Sequence, residues 1–145
     1  MRTKRTPTRS SVAVQYAVPR RGLPSASALR AWARAASASR GTIRIVGERE
    51  GRALNRRFRR RDYATNVLSF PDGRAGDVVL CHPVIAREAR AQRKTLRAHY
   101  AHLVVHGVLH LRGHVHDDKA SARRMEAREI RILRRIGFCD PYTVE

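Results

Sequence analysis

Acidic side chains are scarce in this sequence. Only 12 of its 145 residues are Asp or Glu, against 31 Lys or Arg, and no acidic residue precedes Glu48. The formal net charge is +19, and because three of the basic residues are lysine, 28 are arginine. The planar guanidinium of arginine pairs bidentately with phosphate, so this charge favours a polyanionic partner such as nucleic acid.

Cysteines and long apolar runs are also few. Cys81 and Cys139 are far apart, which argues against a disulfide framework and favours a reducing compartment. The apolar stretch 101–111 is interrupted by three histidines and is too short to span a membrane. We therefore expect a soluble, cytoplasmic protein without a membrane partner. An arginine-rich start is also typical of mitochondrial transit peptides, but the strand-like alternation at 12–17 argues against its removal.

The length predicts a single domain. Residues 1–10 have no apolar periodicity and are predicted to form a disordered basic tail, which leaves 11–145 as the folded domain. Apolar periodicity predicts an α+β fold, in which a small mixed β-sheet of about four strands packs with about five helices. The predicted order is β-α-β-α-β-β-α-α-α.

Local signals set the expected ends of these elements. We expect the first helix to end at Gly41, the third strand to stop at Pro71, and the fourth helix to begin near His99. The second helix is predicted to direct Leu54 and Phe58 towards the core. The apolar stripe of the last helix is expected to consist of Met125, Ile132, Leu133 and Ile136.

Histidine is concentrated in one stretch. Six of the seven histidines lie between His99 and His116, and His106, His110 and His116 have the spacing H-x3-H-x5-H. Residues four apart lie on one face of a helix, so the first two can direct their imidazoles to a common point. Gly113 can end that helix and let the chain turn back to deliver the third.

Three neutral imidazoles with one open position are typical of a catalytic zinc site, and no cysteine lies nearby to close it. We expect one Zn²⁺ per chain. The alternative is a buried helix whose histidines are satisfied by hydrogen bonds, which is the role predicted for His102. Gly107 directly follows His106, so the glutamate of the H-E-x-x-H peptidases is missing and peptidase chemistry is disfavoured.

Several blocks of the sequence, taken together, resemble a known family. They are Leu54–Asp62, Thr65–Pro71, Gly76–Asp77, His106–His116 and Gly137–Tyr142. In this order they are similar to YbeY, the bacterial rRNA-maturation endoribonuclease family. The resemblance implies a zinc-dependent endoribonuclease specific for single-stranded RNA, which acts on ribosomal RNA in 16S 3′-end maturation and in ribosome quality control. It also implies that ribosomal proteins are partners.

The same resemblance assigns roles to individual residues. It implies metal-ligand roles for His106, His110 and His116, and a functionally required role for Arg59. The sequence departs from the family at Val115, where the family has Asp, so a carboxylate beside the third ligand is missing. The acidic pair that follows, Asp117 and Asp118, either compensates or only favours the start of the last helix.

The expected chemistry is hydrolysis of an RNA phosphodiester by water that zinc has activated, since zinc lowers the pKa of bound water to about 7. A guanidinium is suited to the charge that develops on the phosphate, and Arg59 is the candidate catalytic residue by resemblance. From the residues alone, the neighbouring arginines are equally good candidates. The expected RNA contacts are Arg57, Arg60, Arg61 and Asn66. The alternative function is a non-catalytic, basic ribosome- or RNA-binding protein with a stabilising zinc site.

Overall fold

One mixed sheet organises the chain. The computed structural model describes residues 12–73, 75–113 and 117–143. Within them, four strands form a sheet in the order β1-β2-β4-β3. The strands are β1 (Val12–Tyr16), β2 (Gly41–Val46), β3 (Val67–Asp72) and β4 (Ala75–Cys81). The predicted tail at 1–10 lies outside the described residues.

Five helices lie around this sheet in the described part of the chain. They are α1 (Ala26–Ala35), α2 (Glu48–Arg59), α3 (His82–Ala91), α4 (Leu96–Leu111) and α5 (Lys119–Arg135). The predicted α+β class and the order of the elements are therefore confirmed. No helix in the described part of the chain has both the length and the apolar character that crossing a membrane requires.

Both orientations of strand pairing occur in the sheet. The strands β1, β2 and β4 are parallel, whereas β3 pairs antiparallel with β4 and forms one edge. Side chains alternate across β4, because successive residues of a strand point to opposite faces. Val78 and Leu80 enter the larger core cluster, and Val79 and Cys81 enter the smaller one. The central strand is thus buried on both faces.

The two core clusters lie on opposite sides of the sheet. Side chains from α1, α4 and α5 fill the larger cluster, and α2 covers the smaller one through Leu54. The inward side of α5 is the predicted stripe: Met125, Ile132 and Leu133 are buried, and Ile136 packs against them. The helix α4 lies between the sheet and α5, and most of its residues are buried.

One boundary that was predicted from a glycine differs from the expectation. Helix α1 ends at Ala35 rather than at Gly41, and Gly41 is instead the first residue of β2. Gly41 has a φ of +123°, and a Cβ there would lie 2.2 Å from the carbonyl oxygen of Gly76. This glycine is needed for close approach of two strands, and the sequence pattern alone does not distinguish that need from a helix stop.

Three further expectations are wrong. Pro71 does not stop β3 but pairs with Gly76, which the edge position of the strand allows. Helix α4 begins at Leu96, because the Thr95 side chain caps it by accepting a hydrogen bond from the amide of Ala98 at 3.0 Å. Phe58 is 54% exposed, because α2 turns Gly51 and Asn55 towards the sheet instead.

Candidate metal and nucleic-acid site

A stripe of histidines runs along α4. His99, His102, His106 and His110 recur at intervals of three or four residues, which places them on one side of the helix. Neighbouring rings are close together, and the centroids of His106 and His110 are 4.6 Å apart. His106 keeps 22% of its side chain exposed, whereas the apolar residues of the helix core are buried. The stripe is therefore the polar side of an otherwise apolar helix.

A buried carboxylate from α5 supports two of these rings. Glu129 is 0% exposed, and its two oxygens accept hydrogen bonds from Nε2 of His102 at 2.8 Å and from Nδ1 of His106 at 2.7 Å. The hydroxyl of Tyr142 also donates to it. Burial by itself would raise the pKa of Glu129, but the hydrogen bonds from His102 and His106 outweigh it and lower the pKa to about 2. Glu129 is therefore an ionised, fully partnered carboxylate.

A second carboxylate, at the other end of the stripe, holds the first histidine. Nε2 of His99 donates to Glu88 at 2.8 Å, and the amide of Asn66 donates to the same carboxylate at 3.0 Å. Burial lowers the pKa of His99, and the hydrogen bond that His99 donates to Glu88 opposes this only in part. Asn66, His99 and His102 border a groove of about 1560 Å³, which Tyr142 also lines.

The histidine helix α4 packs against the sheet at Gly107. A Cβ on Gly107 would lie 2.8 Å from Cγ1 of Val78, so only glycine lets α4 pack this closely on β4. The hydroxyl of Ser69, on edge strand β3, donates to the carbonyl oxygen of Gly107 at 2.9 Å. Arg59 in turn donates through Nη2 to the carbonyl oxygen of Ser69 at 3.4 Å. Arg59 thus lies beside β3, the strand that contacts α4 at Gly107, the residue next to His106.

The other predicted arginines lie together but differ in their surroundings. Arg57 and Arg61 are exposed, and the guanidinium carbon of Arg57 lies 5.2 Å from the ring centroid of Phe58. Arg60 ends α2 in the left-handed conformation, with a φ of 59°. This part of the chain is an exposed basic surface on the side of the sheet that α2 covers. Asn66 lies apart from it, in the groove.

The structure brings together some of the predicted site residues. His106 and His110 lie side by side, as the helical spacing predicts, and Arg59 reaches the strand next to them. His116, the third predicted ligand, and Val115 lie outside the described residues. The ligand roles themselves, and the catalytic role of Arg59, remain predictions.

Sequence reasoning missed Glu129. Its signal was available, because Glu129 lies four residues after Met125 and three before Ile132, in the apolar stripe of α5. A carboxylate at such a position is rarely buried without partners. Among the described residues, ligand atoms of His102, His106 and Glu129 lie within 4.8 Å of one another, so this trio could also hold a metal ion.

The fold and the site together define a class of protein. The fold is a small α+β domain in which a buried helix carries histidines able to bind a metal, and the arginine-rich end of α2 contacts the sheet edge through Arg59. Such a combination suits chemistry on a phosphate-containing polymer.

Comparison with known proteins identifies the family. The family described as endoribonuclease YbeY matches residues 27–137. A protein named endoribonuclease YbeY from Stenotrophomonas maltophilia is 49% identical over 97% of this chain and 98% of its own length. One of the same name from Xanthomonas oryzae is 50% identical over 96% of this chain and 97% of its own. The chain belongs to the YbeY endoribonuclease family.

A solved structure agrees with the fold. The solution structure of TM1509 from Thermotoga maritima is similar with a TM-score of 0.53, at 24% sequence identity, over 92% of this chain and 99% of that one. At this identity the likeness supports the fold alone. The family assignment rests on the sequence relatives.

Proposed function

We propose that this protein is a zinc-dependent endoribonuclease that cleaves single-stranded ribosomal RNA, in 16S 3′-end maturation and ribosome quality control. Family membership and the names of its relatives support RNA cleavage. The observation that carries the metal dependence is the pair His106 and His110, whose ring centroids are 4.6 Å apart on the polar side of α4. The bacterial cytoplasm, where ribosomes assemble, is the expected setting.

The residues present fit a zinc ion. Nδ1 of His106 donates to Glu129, which leaves Nε2 as the ring nitrogen that carries the lone pair. His110 lies beside it, and His116 is the proposed third ligand, so one ion per chain would be held by three neutral imidazoles. This donor set leaves a position for water and keeps the full double charge of the ion. When bound, the ion would supply a water of lowered pKa and a positive charge next to the phosphate.

Arg59 is the proposed catalytic arginine. Its guanidinium donates to the backbone of β3 at Ser69, and Ser69 bonds to α4 at Gly107, so two hydrogen bonds link the arginine to the histidine helix. From this position the guanidinium would donate to non-bridging phosphate oxygens as their negative charge increases. The long hydrogen bond to Ser69 would be exchanged for a charge-assisted one.

The proposed RNA surface continues from Arg59 along the end of α2. Arg57, Arg60 and Arg61 would neutralise backbone phosphates, and the exposed ring of Phe58 is available for a base to stack on. Since β3 is an edge strand, a single RNA strand could cross that edge from the α2 side to the histidine side. Asn66 would contact RNA only where the strand enters the groove.

The test replaces His110 by Ala and measures zinc content together with single-turnover cleavage of a single-stranded RNA. We expect both to be lost. His99→Ala is the matched control, because His99 lies on the same stripe yet donates its Nε2 proton to Glu88, and this variant should keep its zinc. Retention of zinc and cleavage by His110→Ala would refute the proposal. A wild-type protein that binds zinc and RNA without cleaving would instead support the non-catalytic alternative.

A further inference from the structure

We infer that Glu129 is a positioning residue that fixes His106 for metal binding, an inference that rests on the proposed function. A neutral imidazole carries one N–H, and its other nitrogen has the lone pair that binds a metal. An ionised carboxylate only accepts hydrogen bonds, so the 2.7 Å contact with Glu129 places the proton of His106 on Nδ1. The ligand atom of His106 is then Nε2.

The carboxylate is itself held on its other oxygen. Oε1 of Glu129 accepts from Nε2 of His102 at 2.8 Å and from the hydroxyl of Tyr142. Three donors, two from α4 and one from the C-terminal segment, therefore fix a side chain that is 0% exposed. A buried carboxylate with this many partners is rigid as well as stable. The orientation of the Glu129 carboxylate therefore fixes the orientation of the His106 ring through their hydrogen bond.

His102 and His106 are consequently expected to be opposite tautomers. His102 donates through Nε2, and its Nδ1 is buried without a hydrogen-bond partner among the described residues. A bare ring nitrogen of this kind fits a neutral imidazole that carries its single proton on Nε2. His106 uses the reverse arrangement, with the proton on Nδ1. Glu129 thus selects a different nitrogen on each ring.

Direct coordination by Glu129 is the competing arrangement, because its ligand atoms and those of His102 and His106 lie within 4.8 Å of one another. Both carboxylate oxygens, however, already accept hydrogen bonds from these two rings. Coordination there would require those contacts to be broken. A carboxylate that accepts from a ligand histidine, by contrast, is the common outer partner in zinc sites.

Glu88, on α3, offers a matched control for Glu129, on α5. It accepts from Nε2 of His99 at 2.8 Å, much as Glu129 accepts from His102, and His99 is only 3% exposed. His99 has no proposed ligand role. Glu88→Gln therefore removes a comparable carboxylate–histidine contact without touching His106.

The experiment compares wild type, Glu129→Gln and Glu88→Gln as full-length proteins. Zinc affinity is measured by competition with a chromophoric chelator, and thermal unfolding of the zinc-free proteins reports structural damage. We expect Glu129→Gln to bind zinc about 10- to 100-fold more weakly. Glu88→Gln should lose stability but bind zinc like the wild type. Equal zinc affinities of Glu129→Gln and wild type would overturn the inference.

A second measurement needs no variant. Nitrogen-15 NMR of zinc-free wild type at a pH where the histidines are neutral should show His106 protonated on Nδ1 and His102 on Nε2. Protonation of His106 on Nε2 would overturn the inference even if Glu129→Gln failed to fold. Loss of zinc by Glu129→Gln and His102→Ala, but not by His110→Ala, would instead establish direct coordination by Glu129. Wild type that binds no zinc would refute the proposed function itself.

Discussion

A substitution at Arg59 is expected to slow RNA cleavage strongly while leaving the stability of the fold almost unchanged. The Arg59 side chain is exposed and makes one long hydrogen bond within the described part of the chain, at 3.4 Å to the carbonyl oxygen of Ser69. Arg59→Glu should therefore change the free energy of unfolding by no more than about 0.5 kcal/mol. If the guanidinium stabilises the charge on the phosphate, its loss should lower the single-turnover cleavage rate by about 10²- to 10³-fold, or roughly 3–4 kcal/mol.

The assay is cleavage of a single-stranded RNA with enzyme in saturating excess, alongside zinc content and chemical unfolding. Arg57→Glu is the matched control, because it makes the same change of charge two residues away, where the guanidinium lies over Phe58. That variant should weaken RNA binding and lessen its salt dependence, yet cleave at the wild-type rate once saturated. An unchanged saturated rate in Arg59→Glu, or an equal loss in Arg57→Glu, would refute the catalytic role.

Three other measurements follow from the structure. Gly107→Ala should lower the free energy of unfolding by about 1–3 kcal/mol, because the added Cβ would lie 2.8 Å from Val78. Gly113→Ala should cost only about 1 kcal/mol for its left-handed backbone, because its Cβ would meet no described atom within 4 Å. Equal losses of the two variants in urea melts would contradict this. Zinc-free protein should lose stability as the pH falls from about 7 to about 5, because burial lowers the pKa of His82 and His99 below 6.5 and the unfolded chain then binds more protons than the folded one. The loss in the free energy of unfolding should be at most about 1.4 kcal/mol per pH unit for each group. Stability that stays constant over this pH range would contradict the prediction. Zinc at about 100 times its dissociation constant should stabilise wild type by about 2.7 kcal/mol and leave His110→Ala unchanged, as thermal melts with and without chelator would show.

The order of the elements was predictable because each carries its own periodicity. The continuous apolar run of β4 and the apolar stripe of α5 follow directly from which side chains must be buried. Boundaries depend on single local contacts that the pattern does not contain. The start of α4 depends on the cap at Thr95, and the length of β3 depends on its edge position, which lets Pro71 pair with Gly76.

The candidate site divides in the same way. Spacing four residues apart on a helix predicts that His106 and His110 are neighbours, and their centroids are 4.6 Å apart. Which ring nitrogen faces outward depends on Glu129, a residue 23 positions further along the chain. The position of Arg59 likewise depends on pairing between strands that brings Ser69 under α4. Helical spacing is local and therefore readable, whereas these partners come from tertiary packing.

The use of the few acidic residues is the strongest physical argument that the histidine stripe has a function. With 12 acidic against 31 basic side chains, every carboxylate could have offset repulsion between surface arginines. Instead Glu129 is fully buried and Glu88 is only 32% exposed, and both accept hydrogen bonds from histidines of α4. Apolar residues at these positions, with apolar partners on α4, would stabilise the core at least as well. The arrangement leaves positive charge on the surface and places a carboxylate behind His106, where it would make this ring a better ligand in the proposed metal site.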